Sequence, residues 1–143
     1  MTEFLALWNR SLSLGSPESS QLYVSSHLAE IVLKAGLSYW DSSVPPPGLN
    51  DQTLFVGVAP YDVKDLQLLD TVCERRSRIR DQCGEVVVFS VSDTFTIEEL
   101  RRVVPDIYDS GSQNPFIALW RAGTCHTTAA GWTARRLIED LSK

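Results

Sequence analysis

The chain has 143 residues, of which 43% are hydrophobic and 22% are charged, a composition typical of one globular domain with its own core. Its net charge of -5 argues against nucleic acid and anionic membranes as partners, because both are themselves negatively charged. No apolar run is long enough to span a bilayer, and Glu3 stands where a signal peptide would be basic, so we expect a cytoplasmic protein.

Two helices are predicted in the N-terminal part of the chain. The first begins near Thr2, and its apolar residues recur at the spacing of one helical face: Phe4, Leu7, Trp8 and Leu12. The second should extend from Ser16, which can cap a helix, to Gly36, which can stop one. The apolar residues expected on the inner face of this second helix are Leu22, Leu28, Ile31, Val32 and Ala35.

The segment from Ser38 to Gln52 is predicted to be a long surface loop within the same domain. It is rich in Ser, Asp and Asn, and it contains Pro45-Pro46-Pro47-Gly48, which cannot continue a helix. Tyr39 and Trp40 lie at its start, and we interpret them as exposed aromatic anchors for a partner. Residues 1–52 are therefore read as a helical extension with a Pro-rich loop, ahead of a core that spans 53–143.

The core begins with a strand from Thr53 to Val58, apolar enough to be buried on both faces. Asp62 can cap the helix that follows, and Cys73 should lie on the buried face of that helix. The charged residues that we expect to face water on this helix are Lys64, Asp65, Asp70, Glu74, Arg75 and Arg78.

The remaining elements first alternate between strand and helix, and two consecutive strands then follow. They are a strand over 86–91, a helix over 96–104, strands over 116–120 and 124–130, and a helix over 133–141. Thr96 to Glu99 has the pattern of a capping box, which predicts the start of the helix over 96–104. Ala122-Gly123 is a tight turn, so the two strands around it are predicted to pair as an antiparallel hairpin.

This order of elements, with the segment from Ser112 to Gly123, resembles the thioredoxin fold. Pro115 stands where that family has a cis-proline before a strand, and Ala122-Gly123 stands where it has a glycine turn. Val91-Ser92-Asp93 and the helix after it resemble the family's stretch between the third strand and that proline. The resemblance covers roughly residues 53 to 143, and it implies an α/β fold with a mixed central sheet and flanking helices.

The redox motif of that family is missing. Between the first matched strand and its helix, thioredoxins carry two cysteines separated by two residues, where the helix N-terminus lowers the thiol pKa. The corresponding segment here, Ala59 to Lys64, contains no sulfur, and Cys73 lies about three helical turns further on. Thiol–disulfide exchange by this route is excluded. The resemblance then implies a redox-inactive module with no catalytic residue, no cofactor and no metal.

The first hypothesis is therefore an adaptor domain that binds another protein. The resemblance implies a peptide-binding face made by Pro60, Tyr61, Asp62, Asn114 and Pro115. The added N-terminal elements are the alternative binding surface.

Secondary candidates lie in an arginine cluster at the end of the predicted helix, which consists of Arg75, Arg76, Arg78 and Arg80. Positive charge is favoured at a helix C-terminus by the macrodipole, and a patch for an acidic partner is the alternative explanation. Self-association through the first helix, with its residues Phe4, Leu7 and Trp8, is a related possibility.

Two other functions are open at this point. One is an enzyme, either with Cys73 or Cys125 as a single reactive thiol or as a fold-related transferase. Cys125 and His126 are adjacent on a predicted strand, so their side chains should point to opposite faces and not form a nucleophile–base pair. The other is a flavodoxin-like or receiver-like domain with Asp62 as the acid after the first strand, which would require parallel pairing of the last strands.

Overall fold

The computed structural model describes residues 3–141, in which helices flank a five-stranded mixed sheet. The helices are α1 (Glu3–Ser11), α2 (Pro17–Lys34), α3 (Val63–Glu74), α4 (Arg76–Cys83), α5 (Ile97–Val103) and α6 (Gly131–Leu141). The strands are β1 (Ser38–Tyr39), β2 (Thr53–Val58), β3 (Glu85–Ser90), β4 (Phe116–Arg121) and β5 (Thr124–Ala130). The predicted start of the first helix at Thr2 lies outside the described residues.

The strands follow the spatial order β1-β3-β2-β4-β5. β1 and β2 run parallel to β3, whereas β4 runs antiparallel to β2 and β5 antiparallel to β4. The predicted hairpin is thus confirmed, and the flavodoxin-like or receiver-like alternative is wrong because the last strands are not parallel. Among residues 3–141, none of the helices combines the length and the apolar character that a bilayer span requires.

The sheet separates two apolar clusters. The first lies under α1, α2, α3, α4 and α6 and includes Phe4, Leu28, Leu54, Val86 and Ile138. The second lies on the opposite face, where α5 packs, and includes Trp40, Phe55, Phe89, Leu100 and Phe116. β2 and β3 contribute to both clusters through alternate residues, which explains why their sequences are apolar at nearly every position.

The predicted exposure of Trp40 is wrong. Its side chain is only 1% exposed, lies in the second cluster, and stacks edge-on against Phe89 with ring centroids 5.3 Å apart. The indole N–H donates to the carbonyl oxygen of Val44 at 3.0 Å, and the backbone N–H of Trp40 donates to Val88. Tyr39 and Trp40 are therefore part of the sheet edge and the core, because the segment predicted to be loop begins with β1.

The N-terminal extension is bound to the core through its apolar faces. Phe4 and Leu7 of α1 are fully buried in the first cluster, so this helix face is not available for self-association. On α2 the buried positions recur every four residues, at Ser20, Val24, Leu28 and Val32. Leu22 lies on another side of the helix and is 72% exposed, so its predicted place on the inner face is wrong.

The caps that the sequence predicts for three helices are present. The hydroxyl of Ser16 accepts the N–H of Ser19 at the start of α2, and Asp62 accepts the N–H of Lys64 at the start of α3. At α5 both hydrogen bonds of the capping box are formed, between Thr96 and Glu99. These bonds are local in sequence, which is why residue spacing is enough to find them.

Asp70 of α3 is buried, although the helical pattern predicts that it faces water. Its carboxylate oxygens accept the backbone N–H groups of Phe4 and Leu5, each at 3.0 Å. These two groups belong to the first turn of α1, where N–H groups have no partner within the helix. Burial raises the pKa of Asp70, and the two N–H donors act in the opposite direction. The side chain of one helix thus serves as the N-terminal cap of another.

We predict that Asp70→Ala lowers the free energy of unfolding by about 1 to 2 kcal/mol, because it leaves the first turn of α1 without its acceptor. Urea unfolding followed by circular dichroism would measure the change. Asp81→Ala removes a carboxylate from an exposed position of α4 and should leave the unfolding midpoint nearly unchanged. Equal effects of the two substitutions would contradict a capping role for Asp70.

Candidate functional site

The five residues of the predicted binding face meet at one end of the sheet. β2 ends at Val58 and β4 begins at Phe116, and these antiparallel strands pair so that Gly57 lies opposite Phe116. The segment after β2 and the segment before β4 are consequently neighbours. They carry Pro60, Tyr61 and Asp62 on one side and Asn114 and Pro115 on the other.

Asn114 joins the two segments by hydrogen bonds. Its side-chain amide donates to Asp62 Oδ2 at 3.0 Å and to Asp65 Oδ2 at 2.8 Å. The other oxygen of Asp62 accepts the backbone N–H of Lys64 at 2.9 Å as the α3 cap. The peptide bond between Asn114 and Pro115 is cis, the conformation that the sequence resemblance implies. Two predicted site residues thus fix the position of the segment that contains Pro115.

Asp65 is the buried centre of this arrangement, and its predicted exposure is wrong. Its Oδ2 accepts the backbone N–H of Ala59 at 2.9 Å in addition to the Asn114 amide. Its Oδ1 accepts the guanidinium of Arg135 from α6 at 2.8 Å, and that guanidinium also lies 4.0 Å from Asp62. One carboxylate therefore connects the end of β2, the segment before β4 and the last helix.

Opposing influences act on the pKa of Asp65. Burial raises it most strongly, because it disfavours the charged carboxylate, and the negative charge of Asp62 raises it further. The hydrogen bonds from Ala59 and Asn114 and the charge of Arg135 lower it. The helical pattern did not indicate Asn114 and Arg135 as partners, since they lie 49 and 70 residues away in the sequence. The only local sign of a buried role for Asp65 is its place in the first turn of a helix that directly follows a buried strand.

Three exposed aromatic side chains lie on the segments that meet at this end of the sheet. Tyr61 is 47% exposed and Tyr108 is 43% exposed. Burial raises the pKa of Tyr108, and the nearby Tyr61 raises it further. Trp132 is 68% exposed and follows Gly131, whose backbone N–H donates to the carbonyl of Pro115 at 2.8 Å. Tyr108 and Trp132 were not among the residues predicted for the face.

Tyr108 is held in an unusual backbone conformation. Its φ of 64° is in the left-handed region, which bulky residues seldom adopt. Its ring packs edge-on against Phe116, with centroids 5.1 Å apart, so the second cluster supports it from below. This support fixes an aromatic ring at the surface beside Tyr61.

Two open cavities share Tyr61 as a wall. One has a volume of about 400 Å³ and is lined on its far side by Trp8, Leu12, Ser16, Pro17, Ser20 and Gln21. The other has a volume of about 390 Å³ and also contacts Glu18, Gln21, Leu22, Ser25, Pro60 and Ser92. The exposed Leu22 on α2 therefore borders the same surface as Tyr61. The N-terminal extension thus borders the same cavities as Tyr61, whereas the sequence analysis treated the two as alternative surfaces.

The secondary candidates lie away from this face. α3 begins at the site and runs to Glu74, so Arg75 and Arg76 follow its far end. The guanidinium groups of Arg76 and Arg80 donate to the carbonyl oxygens of Ala35 and Gly36. Those carbonyls lie just past the end of α2, where acceptors lack helical partners. Part of the arginine cluster thus stabilises a helix end within the chain. Tyr39 is half-buried, and this burial, followed by the negative charges of Asp93 and Asp41, raises its pKa to about 12.

The three cysteines are free, and none is in the segment between β2 and α3. Burial raises the pKa of each thiol, to about 11 for Cys73. Cys125 pairs with Trp120 while Thr127 pairs with Leu119, so His126 is the extra residue of a β-bulge. The predicted regular alternation of Cys125 and His126 is therefore wrong, because a bulge interrupts the alternation at this pair.

Within residues 3–141, no group of three or more His, Cys, Asp and Glu side chains is arranged to hold a metal ion. Comparison of the chain with protein-family models, with curated proteins and with solved structures finds no match in any of the three.

We predict that Asp65→Ala lowers the free energy of unfolding by about 3 to 5 kcal/mol, because Arg135 and the Asn114 amide lose their buried acceptor. The matched substitution Asp62→Ala removes a partly exposed cap and should cost about 1 kcal/mol. Chemical unfolding of both variants measures the difference. A cost for Asp65→Ala no larger than that for Asp62→Ala would contradict the central role of Asp65.

We also predict slow alkylation of all three cysteines at neutral pH. The pKa of Cys73 is raised from 9.0 to about 11, which lowers its thiolate fraction at neutral pH about a hundredfold. Iodoacetamide labelling read by peptide mass spectrometry should therefore accelerate steadily as the pH rises from 7 to about 10. Unfolded chain in denaturant is the control, and it should react faster at each pH. A single cysteine that reacts rapidly near pH 7 in the folded chain would favour the thiol-enzyme hypothesis.

Proposed function

We propose that this chain is a redox-inactive, thioredoxin-like adaptor module that binds an extended segment of another protein. The proposed binding face consists of Pro60, Tyr61, Asp62, Asn114 and Pro115, with Tyr108 beside it. The observation that carries the proposal is the exposed Tyr61, which stands between two cavities on a support fixed by buried hydrogen bonds.

The order of elements from β2 to α6 and the cis bond before Pro115 support the thioredoxin-like interpretation. The segment between β2 and α3, where thioredoxins carry the dithiol, has a different role here. Asp62 accepts an N–H of the first turn of α3, and Asp65 lies buried in that same turn. In a redox-active protein the positive end of the helix would stabilise a thiolate, whereas here it stabilises carboxylates. The segment between β2 and α3 therefore contributes structure and not redox chemistry.

A rigid face with exposed aromatic residues suits protein recognition. Tyr and Trp side chains bury large areas at little cost in conformational entropy, and they are enriched among the residues that dominate binding energy. The hydrogen bonds of Asn114 and Asp65 hold the supporting segments in place before a partner arrives, which reduces the entropy lost on binding. Tyr61 and Tyr108 can then contact a partner without rearrangement of the backbone.

The enzyme alternative has less support from the site. A thiol enzyme requires a thiolate near neutral pH, and burial moves the pKa of Cys73 and Cys125 in the opposite direction. Neither cysteine lies on the face around Tyr61. Binding is therefore the function that the geometry supports best.

We predict that Tyr61→Ala weakens binding to a selected peptide at least about tenfold, because it removes the central aromatic contact. A random peptide library displayed on phage, selected against the full chain, would supply the peptide, and fluorescence anisotropy would measure its affinity. Pro115→Ala should also weaken binding, while Leu33→Ala, at an exposed position on α2, is the matched control. Thermal unfolding of each variant separates lost binding from lost structure.

The proposal fails if selected peptides bind Tyr61→Ala and Pro115→Ala as tightly as the unaltered chain. It also fails if every selected peptide binds the unaltered chain no more tightly than it binds the Tyr61→Ala variant. A peptide whose affinity falls with Leu33→Ala but not with Tyr61→Ala would place binding elsewhere on the chain.

A further inference from the structure

The proline run between β1 and β2 is a sequence motif that the proposed function does not use. Pro45, Pro46 and Pro47 lie at or near the surface, outside the helices and strands. Proline fixes its own φ at about −65°, and it confines the residue before it to extended backbone. Val44, Pro45 and Pro46 each precede a proline, so they are held in or close to the polyproline II conformation, which has about three residues per turn. The run therefore presents one turn of that helix.

Hydrogen bonds from distant and buried side chains hold both ends of this run. At its start, the carbonyl oxygen of Val44 accepts the indole N–H of the buried Trp40 at 3.0 Å. At its end, the carbonyl oxygen of Gly48 accepts the hydroxyl of the buried Thr53 at 2.8 Å. Gly48 has a φ of 76°, and a Cβ there would lie 2.6 Å from that hydroxyl oxygen, so the position requires glycine. The fold thus fixes the prolines between two anchors.

The backbone between these anchors offers acceptors without donors. A proline has no N–H, and within residues 3–141 no hydrogen bond is donated to the carbonyl oxygens of Pro45, Pro46 and Pro47. Val44 beside them is an apolar side chain that is 50% exposed. This surface does not suit an added β-strand, because strand pairing requires N–H groups as well. It suits aromatic side chains that carry a donor, such as the indole of Trp or the phenol of Tyr.

An open cavity of about 230 Å³ lies beside the run. It is lined by residues 42–46 and, from α5, by Glu99 and Arg102. The carboxylate of Glu99 accepts the N–H of Thr96 in the capping box, whereas none of the carboxylates in residues 3–141 forms an ion pair with Arg102. A positive charge next to the prolines would therefore complement an acidic residue at the rim of a partner's groove.

The spacing of the prolines limits the kind of groove that can receive them. Gly48 stands three residues after Pro45, so the run lacks the PxxP spacing. It offers instead consecutive X–Pro dipeptides, from Val44-Pro45 to Pro46-Pro47. Each dipeptide combines a rigid apolar ring with an open carbonyl oxygen, which two facing aromatic side chains can contact together.

We propose that this run is the ligand of a partner domain that carries a surface groove lined by aromatic side chains. The rings of the prolines pack between the aromatic side chains, and the N–H or O–H groups of the groove donate to the carbonyl oxygens of the run. Because both ends are already anchored and the prolines are stiff, binding costs little conformational entropy. The chain would then have a second protein contact that is separate from the face around Tyr61.

The test is a binding screen of the full chain against purified WW, EVH1 and other domains that take consecutive prolines, measured by biolayer interferometry. At least one domain should bind saturably, and an excess of synthetic oligoproline should displace it. Pro46→Ala should weaken this binding at least about tenfold, because it removes a ring and releases the backbone of the residue before it. Pro45→Ala, at an exposed position, should act in the same direction. Pro105→Ala removes an exposed proline outside the run, and it should bind like the unaltered chain.

Nuclear magnetic resonance locates the contact, and thermal unfolding of each variant shows that the fold is kept. Titration with a bound domain should shift the methyl resonances of Val44 and the indole N–H resonance of Trp40. The proposal is overturned if no domain of the panel binds, if Pro45→Ala and Pro46→Ala bind like Pro105→Ala, or if the shifts centre on Tyr61. Tyr61→Ala should leave this binding unchanged, so this proposal and the peptide-binding function can fail separately.

Discussion

The buried carboxylate of Asp65 is the interaction on which the candidate site depends. It accepts hydrogen bonds from the end of β2, from Asn114 and from Arg135 of α6, all within 2.9 Å. A buried carboxylate is unfavourable unless each oxygen has donors, and here three elements supply them. The requirement to satisfy this one group therefore fixes the relative positions of the segments that carry Tyr61 and Pro115.

Two buried carboxylates of α3 have the same role, which is to accept hydrogen bonds from other elements. Asp65 in the first turn of α3 connects the segments of the candidate site, and Asp70 further along accepts two N–H groups of α1. The N-terminal extension is thereby attached by hydrogen bonds as well as by Phe4 and Leu7, which are buried in the first cluster. Because α1 and α2 also border the cavities beside Tyr61, the attachment of α1 affects the shape of the candidate site and not only the stability of the fold.

The sequence indicated features whose causes are local. The caps at Ser16 and Thr96 follow from residue spacing, and the apolar runs of β2 and β3 follow from burial on both faces. It did not indicate Asp65 or Asp70, because helical periodicity assigns charged residues to water and their partners, apart from Ala59, are 49 to 70 residues away. Trp40 was misjudged for a related reason, since its burial depends on pairing of β1 with the distant β3.

The arrangement around α3 also bears on the chemistry that the start of this helix can support. A reactive thiol at the start of this helix would need the positive helix end to stabilise its thiolate. Asp62 and Asp65 already occupy that first turn with negative charge, and Arg135 is engaged by both. A thiol placed beside them would have its pKa raised by the carboxylates. These hydrogen-bonded carboxylates hold the segment that carries Tyr61 in place, and in the proposed function this rigidity favours recognition of a partner.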